Sequence, residues 1–233
     1  MIIAANLKTN LTRHETALYI EEVEKYREKS RQEVFVFPAM TSLDRFETQV
    51  VVGTQNAYPT VNGAFTGEIG LEQLKEFGIK TILIGHSERR HILNESQQFI
   101  AEKFNYFKEQ GFSIVYCVGE PQDIREAGKE QTLAYINKQY EGIDTNYDKL
   151  TIAYEPVWAI GTGLVPTLED IEEIHTALKE KSIAPLLYGG SVKLNNIKDI
   201  LCVKNVDGVL VGSAALNVTD FITMIEYADA LEN

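Results

Sequence analysis

The sequence predicts an α/β fold, a (β/α)8 barrel of eight parallel strands with outer helices, and three observations predict it. Eight short apolar runs alternate with helix-patterned segments at an average of about 29 residues per unit, close to the length of one βα repeat. Most of these runs are continuously apolar, the pattern of parallel strands buried on both faces; an antiparallel sheet would more often alternate. Polar residues or glycines follow nearly every run, so chemistry-bearing groups collect at the C-terminal strand ends. An open doubly wound sheet would gather such groups only at its switch point, whereas a closed barrel turns all eight ends to one mouth, and the barrel is favoured.

The runs lie at 2–5, 34–37, 51–54, 81–84, 113–118, 150–154, 185–188 and 207–211. After the first come Asn6 and Lys8, after the third Gln55 and Asn56, and after the fourth His86. Glu120 follows the fifth, Glu155 the sixth, Gly189, Gly190 and Ser191 the seventh, and Gly212 and Ser213 the eighth. Capping signals open the helices between them. Thr12 with Glu15 precedes Leu18 and Val23, Asn94 with Gln97 precedes Ile100, Phe104 and Phe107, and Thr167 with Asp170 precedes Ile171, Ile174 and Leu178. Residues 71–77 form a shorter helix stopped by Gly78. No Pro/Ser-rich linker, charge block or low-complexity tract divides the chain, so 1–233 reads as a single domain.

A chain of 233 residues can bury about 70% of its unfolded surface, so core size is not a constraint. Hydrophobic content of 44% and charged content of 24% are those of an ordinary globular protein, and no apolar stretch is long enough for a membrane span. The N-terminus enters an apolar run at Ile2 without a basic flank or a cleavage-type site, which argues against a secretory signal and for the cytoplasm. Cys117 and Cys202 are too few and too far apart for a disulfide framework or a ligand cluster and read as core thiols in a reducing compartment. A net charge of −12 argues against nucleic acid as partner and requires local basic residues to draw in any anionic substrate.

The densest chemical signal is Ala153-Tyr-Glu-Pro-Val-Trp-Ala-Ile-Gly-Thr-Gly163. Pro156 biases Glu155 away from helical backbone, which holds its carboxylate at a strand end. The uncharged, glycine-ended segment that follows, running to Pro166, has the composition of a lid that closes over a site and expels water. Glu120, also followed by proline, has a similar context; spacing does not separate the two, and the lid after Glu155 does. His86, in Gly85-His-Ser-Glu-Arg-Arg90, stands at a strand end where a helix begins. Exposed N–H groups there disfavour an imidazolium and leave a neutral ring able to donate to a developing oxyanion. Lys8 adds a cation at the same mouth. Gly189-Gly190-Ser191 and Gly212-Ser213 follow the last two strands, where such barrels often build phosphate sites from backbone N–H groups. Each signal alone has a structural explanation: a buried βα connection, a satisfied core histidine, a surface lysine, a pair of tight turns. His14, His91 and His175 lie in or beside helices and read as surface or structural residues, and no pair of histidines with a carboxylate lines the strand ends, so neither a metal nor a cofactor is expected.

Together, Asn6-x-Lys8, Gln55-Asn56, Gly63-Ala-Phe-Thr-Gly-Glu68, the His86 and Glu155 segments, and Tyr188-Gly-Gly-Ser-Val192 resemble, in order and over essentially the whole chain, the triosephosphate isomerase family. The resemblance implies a TIM barrel and a glycolytic and gluconeogenic isomerase that interconverts dihydroxyacetone phosphate and glyceraldehyde 3-phosphate through an enediolate. It implies Glu155 as general base between carbons one and two, His86 as the group polarising the carbonyl, and Lys8 and Asn6 as holders of substrate and developing charge. Gly161, Ser191, Gly212 and Ser213 would bind the phosphate. It also implies a two-fold homodimer in which the apolar loop 56–70, through Phe65, Thr66 and Glu68, docks beside the neighbouring subunit's Asn6 and Lys8. Four features depart from the family's common pattern: Leu7 in place of tryptophan, Leu164-Val165-Pro166 in place of a lysine-containing hinge, Ser213 in place of a second glycine, and a somewhat short chain. The rival readings are another phosphosugar barrel and a silent barrel that only binds phosphometabolites or a partner protein. A Schiff-base aldolase would want a lysine deep in the mouth, and a metal-type epimerase a His/Asp cage, where strand six instead ends in Glu155.

Overall fold

The structure, a computed structural model, describes residues 1–160 and 164–231. Its strands are β1 (Ile2–Asn6), β2 (Glu33–Phe37), β3 (Val51–Val52), β4 (Thr81–Ile84), β5 (Ser113–Val118), β6 (Leu150–Tyr154), β7 (Leu186–Tyr188) and β8 (Gly208–Val211). All pair in parallel in the order β3-β2-β1-β8-β7-β6-β5-β4. The two ends of that order meet through a single bridge, Thr54 to Ile82, so the sheet is a nearly closed barrel surrounded by helices. The eight expected runs all become strands. The third is shorter than expected, because beyond Val52 only Thr54 rejoins the ladder.

The helices are α1 (Arg13–Arg27), α2 (Leu71–Glu76), α3 (Ser87–His91), α4 (Gln97–Glu109), α5 (Gln122–Glu126), α6 (Lys129–Lys138), α7 (Leu168–Lys179), α8 (Ile197–Leu201) and α9 (Val218–Leu231). Between β2 and β3 the chain makes only a 3-10 turn, Met40–Ser42. Thr12 and Thr167 cap α1 and α7 as their sequences predict, each with the reciprocal carboxylate, Glu15 or Asp170. Asn94 does not cap α4. Ser96 does, accepting the N–H of Phe99, while Asn94 takes a left-handed turn at φ 55° and Gln97 spends its amide elsewhere.

Two apolar layers explain why the strands read as continuous apolar runs. One side chain in two, including Ile3, Val36, Ile84, Tyr116, Ile152, Tyr188 and Val209, points outward into the layer under the helices. The alternate set, Ile2, Ala4, Phe35, Phe37, Leu83, Val115, Cys117, Ala153, Leu187 and Leu210, fills the barrel interior. Because side chains alternate along a strand, extending the inward rows by two residues reaches Asn6, Gly119, Glu155, Gly189 and Gly212. Two polar side chains and three glycines therefore form the top of the barrel. At Gly119 the Glu155 backbone takes the space a side chain would fill, while Gly189 and Gly212 border a cavity that the two polar side chains also line.

Candidate active site

That cavity, about 850 Å³, is lined by Asn6, Lys8, His86, Glu155, Ser191, Gly212 and Ser213, together with Gly189 and Gly190. Every expected site residue is thus brought to one mouth except Gly161, which lies outside the described residues. No helix among the described residues is long and apolar enough to cross a membrane.

Asn6 and Lys8 are set by a strained turn. Lys8 adopts φ 52°, which is uncommon for a residue with a Cβ and persists only when its surroundings hold it. They do: its N–H donates to Asn6 Oδ1 at 3.1 Å, and Gln55 Nε2 donates to its carbonyl at 2.8 Å and to that of Phe37 at 2.9 Å. The Lys8 ammonium reaches across to Glu88 Oε1 at 2.5 Å, a pair joining the ends of β1 and β4. Glu88 belongs to the predicted motif, but nothing in its spacing revealed this partner 80 residues away.

His86 immediately precedes α3, and its ring caps that helix: Nδ1 accepts the N–H of Glu88 at 3.2 Å. A nitrogen that accepts carries no proton, so in the neutral ring the proton sits on Nε2. Nε2 faces Glu155 Oε1 at 3.1 Å. The second oxygen, Oε2, accepts the N–H of Ser87 at 2.9 Å, so the start of α3 grips the carboxylate. Glu155 is 2% exposed and His86 7%, so both lie largely out of bulk water. The backbone at Glu155 is fixed by its N–H to Val118 O at 2.7 Å. Gly119 is required opposite it, because a Cβ there would lie 1.7 Å from the Glu155 carbonyl oxygen.

Glu120 is equally buried but turns the other way. One residue beyond the inward row, it accepts Tyr154 Oη at 3.1 Å and Trp158 Nε1 at 3.0 Å on Oε1, and does not line the cavity. Burial pushes its carboxyl above the usual carboxylate range, partly offset by these donors. Across the mouth, Ser191 Oγ donates to the carbonyl of Ala159 at 2.6 Å, linking the loop after β7 to the segment after Glu155. Gly212 precedes a 3-10 turn, Ser213–Ala215, whose Ser213 and Ala214 line the cavity. Of the remaining histidines, His175 is fully buried with Nδ1 3.0 Å from Asn205 O, and burial lowers its pKa to about 4. It is structural, as its helical position suggests.

A family model described as triosephosphate isomerase matches residues 1–228. A protein of that name from Sulfurimonas denitrificans is 64% identical, the match covering 100% of this chain and 98% of the relative. The chain belongs to the triosephosphate isomerase family. Relatives of the same name from Sulfurovum sp. and Wolinella succinogenes are 56% and 54% identical, each match covering 97% of this chain and 99% of the relative. Against the common triosephosphate isomerase pattern, Leu7 is fully buried in the layer under the helices, while Leu164 and Val165 are exposed before a buried Pro166. Ser213 stands at the cavity wall.

Proposed function

We propose that Glu155, His86 and Lys8 carry the reaction of this chain, with Asn6 beside them and Ser191, Gly212, Ser213 and Gly161 holding the phosphate. As a member of its family the chain is an isomerase that interconverts dihydroxyacetone phosphate and D-glyceraldehyde 3-phosphate. In the forward step the Glu155 carboxylate takes a proton from carbon one while the Nε2–H of neutral His86 hydrogen-bonds the carbonyl oxygen on carbon two. The electron pair released from the C–H bond forms the enediolate. Protonation at carbon two by the Glu155 carboxyl, with a proton moved from the hydroxyl on carbon one to the oxygen on carbon two, gives the aldehyde. Pairing a carboxylate base with a neutral histidine is already the standard description of triosephosphate isomerase, so these roles follow the family.

The observation that carries the reading is the direction of the His86 ring: Nδ1 occupied by an N–H donor leaves Nε2–H facing the carboxylate in the cavity. A neutral donor stabilises a developing oxyanion without handing over a full charge beforehand. Lys8 supplies the local cation that a chain of net charge −12 needs to hold a phosphorylated substrate. The test is a triose phosphate isomerisation assay of the purified chain in chelator. Turnover supports the metal-free reading, and a chain that binds the substrate without turning it over contradicts it.

The homodimer belongs to the same proposal. Loop 56–70 ties its stems together through Tyr58 N–H to Ile69 O and Leu71 N–H to Thr60 O, and projects its tip outward. At that tip Phe65, 40% exposed, stacks on Tyr58 at 4.2 Å, with Val61 also exposed. A second cavity of about 380 Å³, bordered by Lys8, Gln55, Glu88 and Leu93, opens beside the site and suits the loop of a second copy, with Thr66 and Glu68 as its polar contacts. Phe65→Asp is expected to dissociate the dimer and depress activity together in sedimentation and dilution assays; a fully active monomer contradicts this. The reading of 1–233 as one domain is supported by strands from both ends of the chain pairing in one sheet, β1 with β8. A cytoplasmic setting is supported by two free thiols: Cys117 is buried as expected, whereas Cys202, expected in the core, is exposed at the end of α8, whose buried face is made by Ile197, Ile200 and Leu201.

A further inference from the structure

We propose that Arg90 is a positioning residue for the isomerisation, holding the end of β4 to the end of β5 so that His86 meets Glu155 in register; the inference rests on the roles assigned to those two residues above. The ladder between β4 and β5 ends at Ile84 with Tyr116. At the next residue Gly85 turns to φ 78°, a left-handed conformation that takes its carbonyl out of the ladder. Arg90 supplies the missing connection. Its Nε donates to Gly85 O at 2.6 Å, and its Nη2 donates to Cys117 O at 3.1 Å and to Tyr116 Oη at 3.0 Å. One guanidinium thus spans the two strand ends one residue before His86.

The connection continues to the other half of the pair. Arg90 Nη1 donates to Gln97 Oε1 at 2.8 Å, and Gln97 Nε2 donates to the carbonyl of Gln139 at 2.8 Å. Tyr116 Oη donates to the same carbonyl. The Gln139 side chain then takes both backbone groups of Gly119, accepting its N–H at 2.9 Å and donating to its carbonyl at 2.8 Å. Gly119 is the residue whose Cα packs against the Glu155 carbonyl. An unbroken set of hydrogen bonds therefore runs from the residue before His86 to the residue pressed against Glu155.

All four acceptors of Arg90 are neutral: two backbone carbonyls, a phenol and an amide. The arrangement uses the planar fork and not an ion pair, and a lysine, with one terminal nitrogen, cannot span the same set. The space is also shaped for arginine, since a Cβ at Gly85 would lie 2.6 Å from Nη2. Displacing a reacting group by about 1 Å can cost 10²-fold in rate, which sets the scale of the effect.

The test compares Arg90→Ala, Arg90→Lys and Glu155→Gln, each checked for folding by circular dichroism, for kcat, KM and the Kd of inorganic phosphate. For both Arg90 variants kcat is expected to fall about 10- to 100-fold while KM and phosphate Kd stay within about threefold, the signature of a lost interaction at the reacting centre. Millimolar ethylguanidinium is expected to restore Arg90→Ala saturably and to leave Arg90→Lys unchanged. A parallel loss of phosphate binding, a folded Arg90→Ala that does not respond to ethylguanidinium, or an Arg90→Lys with normal kcat overturns the inference. Normal kcat in the Arg90 variants beside a crippled Glu155→Gln overturns it alone, whereas full turnover by Glu155→Gln overturns the assignment beneath it. If neither Arg90 variant folds, Gln97→Ala removes one hold on the fork; a drop in kcat with unchanged phosphate Kd supports the inference, and an unchanged kcat overturns it.

Discussion

Glu120 and Glu155 stand at the ends of neighbouring parallel strands, are each followed by proline, and are both buried, yet only one faces the cavity. The difference is one of parity. Along β5 the inward row is Val115, Cys117 and then Gly119, which puts Glu120 on the outward side among Tyr154 and Trp158. Along β6 the inward row is Ala153 and then Glu155. Glu120 has two side-chain donors on a single oxygen and acts as a fixed acceptor. Glu155 instead carries a partner on each oxygen, the Ser87 N–H on Oε2 and His86 Nε2 at Oε1, both from the turn after β4 that faces the cavity. Similar sequence context thus places one carboxylate in the outer layer and the other in the cavity, and a single residue of register decides which.

The largest effect that sharpens this contrast is expected from Glu155→Gln, which keeps shape but removes the base. General-base catalysis is worth about 10²- to 10⁴-fold, so kcat is expected to fall at least that far in a steady-state assay with the fold intact. Near-normal turnover would break the comparison. His86→Ala comes next: losing a donor to the developing oxyanion costs on the order of 3 kcal/mol, about 10²-fold in kcat. A His86 ring that NMR finds protonated at pH 7 contradicts the neutral role.

Glu120→Gln is expected to change kcat by less than about tenfold, since no proton passes through it. Its effect belongs to stability. A carboxyl whose pKa is raised in the folded state contributes stability that is fully present below its ordinary value of 4.5 and lost as pH rises through the raised one. The urea midpoint of the wild type relative to Glu120→Gln should therefore decline as pH rises above about 4.5, by the same linkage. Buried His175 acts in the opposite sense, withdrawing stability as pH falls from 6.5 toward about 4, and it cancels in the difference between the two proteins. A difference independent of pH would show that Glu120 titrates normally.

The barrel was legible because strands buried on both faces must be apolar throughout, and the mouth was legible because polar residues there interrupt apolar runs. What both faces being apolar conceals is which row points inward. On β5 and β6 side-chain size carries a signal: the inner row has Val115, Cys117 and Ala153, while the outer row has Tyr116 and Tyr154. On these two strands that difference in size separates the row that ends in Glu155 from the row that holds Glu120. The cap of α4 falls on Ser96 and not on Asn94 because Asn94 with Gln97 and Ser96 with Phe99 compete within one turn, and Gln97 is drawn away by Arg90 and Gln139. The Lys8–Glu88 pair and the Arg90 connection join residues scattered from 8 to 139, which no local pattern encodes.

Which carboxylate moves the proton is tested most directly by deuterium exchange, which does not rely on net turnover. Dihydroxyacetone phosphate in D2O, followed by proton NMR, reports loss of the carbon-one proton catalysed by the wild type, Glu120→Gln and Glu155→Gln. The account predicts exchange by the wild type and Glu120→Gln at similar rates, and exchange slower by at least about 10²-fold with Glu155→Gln. Rapid exchange by Glu155→Gln, with Glu120→Gln silent, would contradict it.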